Sequence, residues 1–274
     1  MITPPCSYQG GKQRLAKKII DIIKPSGPFY DLCCGSGSIS IELINRGYNP
    51  KNIVMLDAGP WGLVWEFVGK GEFDLSKFRK ICDSLPQDRK LLQGHIKEIS
   101  KCPAPPIENG NIDAVYIFLL LQAASFGSKA IWIKDGKWQN CSFRSYWEPT
   151  ATSNRRSPVN PMMPMPETLF ARMEKICESM KGVFGYHLDI SECRPKGTTY
   201  IDPPYAGLTK YGHTFDIMKY VSENCHGIDV YVSEGKPLGE SCYQFTSEAK
   251  GGISGVRNEA HKEFLTYFKA NCIC

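Results

Sequence analysis

No stretch of the chain approaches the roughly 20 consecutive apolar residues that cross a bilayer. The longest uninterrupted apolar run, Ala114 to Leu121, has eight residues before Gln122 breaks it. The first residues, MITPPCSYQGGK, also lack the apolar stretch of a secretory signal. These absences point to a soluble intracellular protein without a membrane partner. Internal repeats and low-complexity segments are missing too, and a composition of 42% apolar and 22% charged residues is that of a globular chain without extended disorder.

Metal-ligand patterns are absent although the residue types are not. The 12 cysteines are scattered, include the adjacent pair Cys33 and Cys34, and never form a CxxC pair; the five histidines show no ligand spacing. Neither a disulfide framework nor a zinc site fits such a distribution. Reduced thiols, Cys272 and Cys274 among them, and no metal are therefore expected. A dinucleotide fingerprint is incomplete as well: after Gly35 and Gly37, the position of a third glycine holds Ser40. Nicotinamide and flavin binding are disfavoured accordingly.

What is present is an alternation of strand and helix patterns in a chain of 274 residues, long enough for one α/β domain with an inserted lobe. Apolar residues at helical spacing from Leu15 to Lys24 predict an amphipathic helix. Phe29 to Leu32 then reads as a buried strand entering the glycine turn Gly35-Ser36-Gly37-Ser38, with a helix from Ile39 onward. Asn52 to Leu56, ending at Asp57, is a second strand. Helical patterns over Leu75 to Lys101 and Ala114 to Ala124 follow, and Asp135-Gly136 is the turn of a hairpin. A helix from Glu167 to Met180, strands near Val183 to Leu188, Thr198 to Ile201 and Asp229 to Ser233, a helix around Phe215 to Cys225 and a closing stretch Glu263 to Phe268 complete the pattern. The expected division is an α/β domain from 1–74 and 167–274, interrupted by a helical and hairpin lobe at 75–166.

Two constellations carry chemistry. Asp31-Leu-Cys-Cys-Gly35-Ser36-Gly37 is a strand-to-helix turn where a ligand can approach the backbone, and Asp57 lies where a carboxylate accepts ribose hydroxyls. An adenosine-containing ligand without a pyrophosphate suits the pair. Asp202-Pro203-Pro204-Tyr205 follows the strand Thr-Thr-Tyr-Ile and so falls at the carboxyl edge of the sheet. Asp202 supplies an acceptor, the prolines leave carbonyls free to accept, and Tyr205 offers a face for a base. Two acceptors on an exocyclic amine help its nitrogen attack a sulfonium methyl and stabilise the positive charge that develops.

The segments Tyr8-Gln9-Gly10-Gly11-Lys12, Asp31 to Ser38, and Asp202 to Tyr205, in that order, resemble the DNA adenine-N6 methyltransferases of the solitary and phage type. Cys33 and Cys34 depart from that family's usual proline and phenylalanine. The resemblance implies a Rossmann-like S-adenosylmethionine-dependent methyltransferase fold with an inserted target-recognition lobe, acting in the cytoplasm of a bacterium or phage-infected cell. It implies that Tyr8, Gly10, Gly11, Lys12, Asp31, Gly35, Ser36, Gly37, Asp57, Asp189 and Asp202 hold the cofactor, and that Asp202, Pro203, Pro204 and Tyr205 are catalytic. The span Ser128 to Asn160 carries six cations, Lys129, Lys134, Lys137, Arg144, Arg155 and Arg156, against two acids. DNA contact by these cations is the expectation, with Asn140, Arg144 or Asn154 reading base edges and core packing as the default for each of the five tryptophans. Cytosine N4, adenine in RNA, or a silent nucleic-acid-binding relative are the alternatives, and a monomer and a homodimer both stay open.

Overall fold

The computed structural model describes residues 1–106, 111–203, 215–246 and 262–270. Helix α1 (Ala16–Ile23) leads into strand β1 (Phe29–Leu32), helix α2 (Ser38–Asn45) and strand β2 (Ile53–Asp57). Helices α3 (Pro60–Lys70), α4 (Leu75–Ser84), α5 (Arg89–Lys101) and α6 (Ile112–Ala124) follow, then a hairpin of β3 (Trp132–Lys134) and β4 (Lys137–Gln139). The chain continues through α7 (Pro166–Ser179), β5 (Phe184–His187), β6 (Thr198–Ile201), α8 (Ile217–Asn224), β7 (Val230–Glu234), β8 (Cys242–Thr246) and β9 (Lys262–Phe268).

Seven strands form one mixed sheet in the order β5-β2-β1-β6-β7-β9-β8. Five run parallel, and β9 lies antiparallel between β7 and β8. The parallel part has the strand order of a doubly wound Rossmann-like sheet, so the α/β expectation holds at that level. Side chains alternate between the faces. Phe29, Met55, Tyr200 and Tyr231 join the cluster containing α1, α2 and α3, whereas Leu32, Leu56, Ile201, Val230 and Val232 pack with Ile217, Tyr220 and Val221 of α8.

Helix α3, absent from the sequence-based expectations, is apolar on nearly every side: Trp61, Leu63, Val64, Trp65 and Val68 are all buried. It lies so close to β5 that a Cβ on Gly185 would stand 2.2 Å from the Trp65 carbonyl carbon, and one on Gly69 would stand 2.1 Å from the Val183 carbonyl oxygen. Glycine at both positions is what lets helix and strand meet.

The helical patterns expected over Leu75 to Lys101 form two helices, divided because Pro86 follows α4 and Asp88 caps α5 by accepting from the amides of Lys90 and Leu91. The hairpin forms where Asp135-Gly136 placed it, with both residues at positive φ. Strand β8 has only Phe245 buried and went unpredicted. The expected lobe shares its core with the rest: Phe118 of α6 meets Trp61 edge-on at 5.1 Å, and Tyr116 meets Phe73 edge-on at 5.2 Å. No helix among the described residues is long and apolar enough to cross a membrane. No disulfide links the described cysteines; Cys272 and Cys274 lie outside the described residues.

Gly185→Ala is expected to push α3 off the sheet and destabilise the protein by ~1–3 kcal/mol, read as a lower midpoint in urea unfolding. A midpoint equal to that of the unsubstituted protein would remove the close-approach account.

Candidate functional site

Chain connections leave β1 and β6 in opposite directions, β1 through α2 to β2 and β6 through α8 to β7. The carboxyl ends of this pair therefore open a crevice, the place where ligands sit on open α/β sheets. At the end of β1 the chain turns through Cys33, Gly35 and Gly37, all at positive φ, before α2 starts. The Gly35 amide donates to Asp57 Oδ2 at 2.9 Å and its carbonyl accepts from Trp65 Nε1 at 2.8 Å. The Tyr8 ring lies over it, so that a Cβ at Gly35 would be 2.8 Å from Tyr8 Cε1. Asp57, Trp65 and Tyr8 thus pin the turn from three directions.

Asp57 spends one lone pair of each carboxylate oxygen on this scaffold, Oδ2 on Gly35 and Oδ1 on the Gly59 amide at 2.8 Å. Each oxygen keeps capacity for another donor. Burial raises the Asp57 pKa against the pull of those two amides. Asp31 is more enclosed, at 1% exposure, and its Oδ2 accepts from both the Ser40 hydroxyl at 2.6 Å and the Ser40 amide at 3.2 Å. Burial pushes its carboxyl up to about 7, against those hydrogen bonds. The bond ties β1 to the first turn of α2, so Ser40, noticed in the sequence only as a missing glycine, has a structural task of its own.

The strap before α1 turns at Gly10, with φ +80° and the Gly11 amide donating to the Tyr8 carbonyl. Gly11 lies close over the glycine turn: a Cβ there would be 3.5 Å from the hydroxyl of buried Ser36. This geometry sends Lys12 into the crevice. Its Nζ lies 2.6 and 2.8 Å from the two oxygens of Asp202, 3.2 Å from Glu263 Oε1 and 3.0 Å from the Gly10 carbonyl oxygen. The Lys12 side chain is 5% exposed. Burial draws its pKa down, but the carboxylates of Asp202 and Glu263 outweigh that and set it above the ordinary lysine range. Burial also pushes Asp202 up, to about 6, with Lys12 opposing and Glu263 and Glu234 adding to the rise. Glu263 and Glu234 escaped the sequence reading because no motif surrounds them.

Asp202 follows β6 directly, its amide donating to the Leu32 carbonyl, and Pro203 beside it is buried. Pro204 and Tyr205 lie outside the described residues. Asp189 is exposed just past β5, where it caps a short turn by accepting from the Ser191 amide and hydroxyl. Burial pushes the Cys33 thiol up, and the carboxylates of Asp57, Asp202 and Asp189 add to the rise.

The cations of the lobe are unlike one another. Lys134, Lys137, Arg155 and Arg156 are exposed and Lys129 is half-buried. Among the described residues none of the five stands in an ion pair. Arg144 instead packs inward with a buried, unpartnered Nε, and burial lowers its pKa. Asn140 donates to the Ala130 carbonyl, while Asn154 is exposed. Trp61, Trp65 and Trp138 pack in the core as expected, but Trp147 is 38% exposed, which corrects the default for that residue. The lobe is joined to the strap by a backbone bond of 2.7 Å from the Gln9 amide to the Ser128 carbonyl. Buried Gln122 and Ser125 fix that loop, both donating to the Lys129 carbonyl.

No protein-family model matches the chain, and no curated protein matches it either.

The raised Asp31 pKa binds a proton in the folded protein that the unfolded chain releases near pH 4. Its contribution to stability is therefore full below about 3.9 and lost as pH rises through about 7. Asp31→Asn, which keeps an acceptor for Ser40, is expected to flatten the unfolding midpoint across that window, by on the order of a few kcal/mol at its upper end. An unchanged slope would contradict the assignment.

Proposed function

We propose that the chain is a site-specific DNA adenine-N6 methyltransferase that takes its methyl group from S-adenosylmethionine and acts on an adenine turned out of the duplex. The single observation that carries this reading is the meeting of Lys12 with Asp202. The strap and the end of β6 stand far apart in sequence, yet Lys12 and Asp202 meet at 2.6 Å at the switch point of the sheet, with the Tyr8 ring on the glycine turn.

The residues present fit the cofactor. Asp57 keeps lone pairs for a ribose diol, Asp189 stands exposed at the neighbouring strand end, and the space a Cβ would enter at Gly10 is open. S-adenosylmethionine supplies, when bound, a sulfonium methyl open to attack. The protein's part is to orient the amine and balance its charge. The Asp202 carboxylate and the Pro203 carbonyl accept the two amine hydrogens, which leaves the nitrogen lone pair free of the ring, and the carboxylate offsets the positive charge that grows on nitrogen. Lys12 favours the ionised form of Asp202. A duplex adenine reaches such a crevice only after leaving the stack. Lys129, Lys134, Lys137, Arg155 and Arg156 are suited to phosphates, which position the duplex without reading it.

Incubation of the purified protein with labelled S-adenosylmethionine and unmethylated DNA, followed by nucleoside mass spectrometry, tests the proposal. N6-methyladenine is expected, and Asp202→Ala is expected to lower its rate by about 10²–10³-fold or more. N4-methylcytosine, or product only with RNA, would move the substrate, and DNA binding without cofactor turnover would indicate a silent relative. The ionised carboxylate is the working form, so kcat/KM is expected to fall as pH drops through about 6.

A further inference from the structure

Lys12 donates to both oxygens of the carboxylate on which the proposed reaction docks an amine. Its Nζ is 2.6 Å from Asp202 Oδ1 and 2.8 Å from Oδ2, so an amine docking on that carboxylate competes with the ammonium. Moving a lysine that is 5% exposed away from its carboxylate would ordinarily leave a buried charge uncompensated, which is strongly unfavourable. A second carboxylate already shares the ammonium at 3.2 Å, Glu263 Oε1, with its side chain 18% exposed. Its backbone is fixed by the sheet: β9 pairs with β7 on one side and β8 on the other, Phe264 opposite Glu234 and Glu263 opposite Phe245. The flexible partner is the lysine, a compact charge on a four-carbon stem with three donors.

We propose that Glu263 is a positioning residue that takes over the Lys12 ammonium as an exocyclic amine docks on Asp202, freeing the carboxylate without leaving the lysine unpaired. This rests on the methyltransferase reading above. The crevice holds Lys12 between the two carboxylates, nearer Asp202 while no amine is present and drawn onto Glu263 once one is. Glu263 acts on the reaction through Lys12.

The test is steady-state methyl transfer by the full chain and its Glu263→Gln and Glu263→Asp variants, with S-adenosylmethionine affinity by calorimetry and the unfolding midpoint alongside. Glu263→Gln is expected to lower kcat about tenfold while the KM for DNA and the cofactor affinity stay within about twofold, and Glu263→Asp to recover most of the rate. An unchanged kcat in an active background overturns the handover and leaves the methyltransferase reading intact. A parallel loss of rate, cofactor affinity and unfolding midpoint overturns it in favour of a purely structural glutamate. A wild-type protein that methylates no nucleic acid sinks the reading itself and the handover with it.

Discussion

A lysine ammonium held almost out of water has to be neutralised where it stands, and the crevice is organised around that requirement. Lys12 comes from a strap ahead of α1, Asp202 from the end of β6, and Glu263 from the start of β9. Lys12 is the shared counter-charge of two carboxylates that would otherwise repel each other, and they in turn compensate its nearly buried ammonium, which is why the three segments hold one another. The strap in turn presses Tyr8 onto Gly35, and the glycine turn is gripped from below by Asp57 and Trp65. A single buried charge thus connects the strap, the turn, β6 and the antiparallel end of the sheet.

The lobe is built onto this centre through a shared apolar core and a few polar ties. Helix α6 is buried on almost all sides, and its polar exceptions at the end, Gln122 and Ser125, spend their side chains on the loop that follows. That loop offers the Ser128 carbonyl to Gln9. A displacement of the basic hairpin would be felt at the strap through one backbone bond, and close packing makes such a contact stiff.

Much of this was legible before the structure. The strands Phe29–Leu32 and Thr198–Ile201 were read with the bounds they have, because a short apolar run beside a glycine or proline turn has few alternatives. The glycine turn, the Asp135-Gly136 hairpin and Asp202 at a strand end came from local chemistry and were found where expected. Helix α3 was invisible because Trp61, Leu63, Val64 and Trp65 bury it on nearly every side, so it shows little of a stripe. Glu263 was invisible for a different reason: its meaning lies in a lysine near the other end of the chain, and no local pattern encodes that distance. Arg144, counted among outward cations by composition, turned inward because charge alone does not reveal direction.

The placement of β9 between β7 and β8 sets the order in which the crevice can mature during synthesis. Domains begin to organise from the N-terminal side as the chain emerges. The strap, the glycine turn and α1 to α3 are made early, yet Lys12 waits for Asp202 and then for a strand that must slide between two made before it. Until β9 is seated, a nascent chain has most of its sheet and an open edge on β7, but one of the two carboxylates around Lys12 is missing. The ion-pair centre is among the last parts to close, so a ribosome-bound or prematurely ended chain would resemble the finished protein in outline, with Lys12 paired to Asp202 but without Glu263.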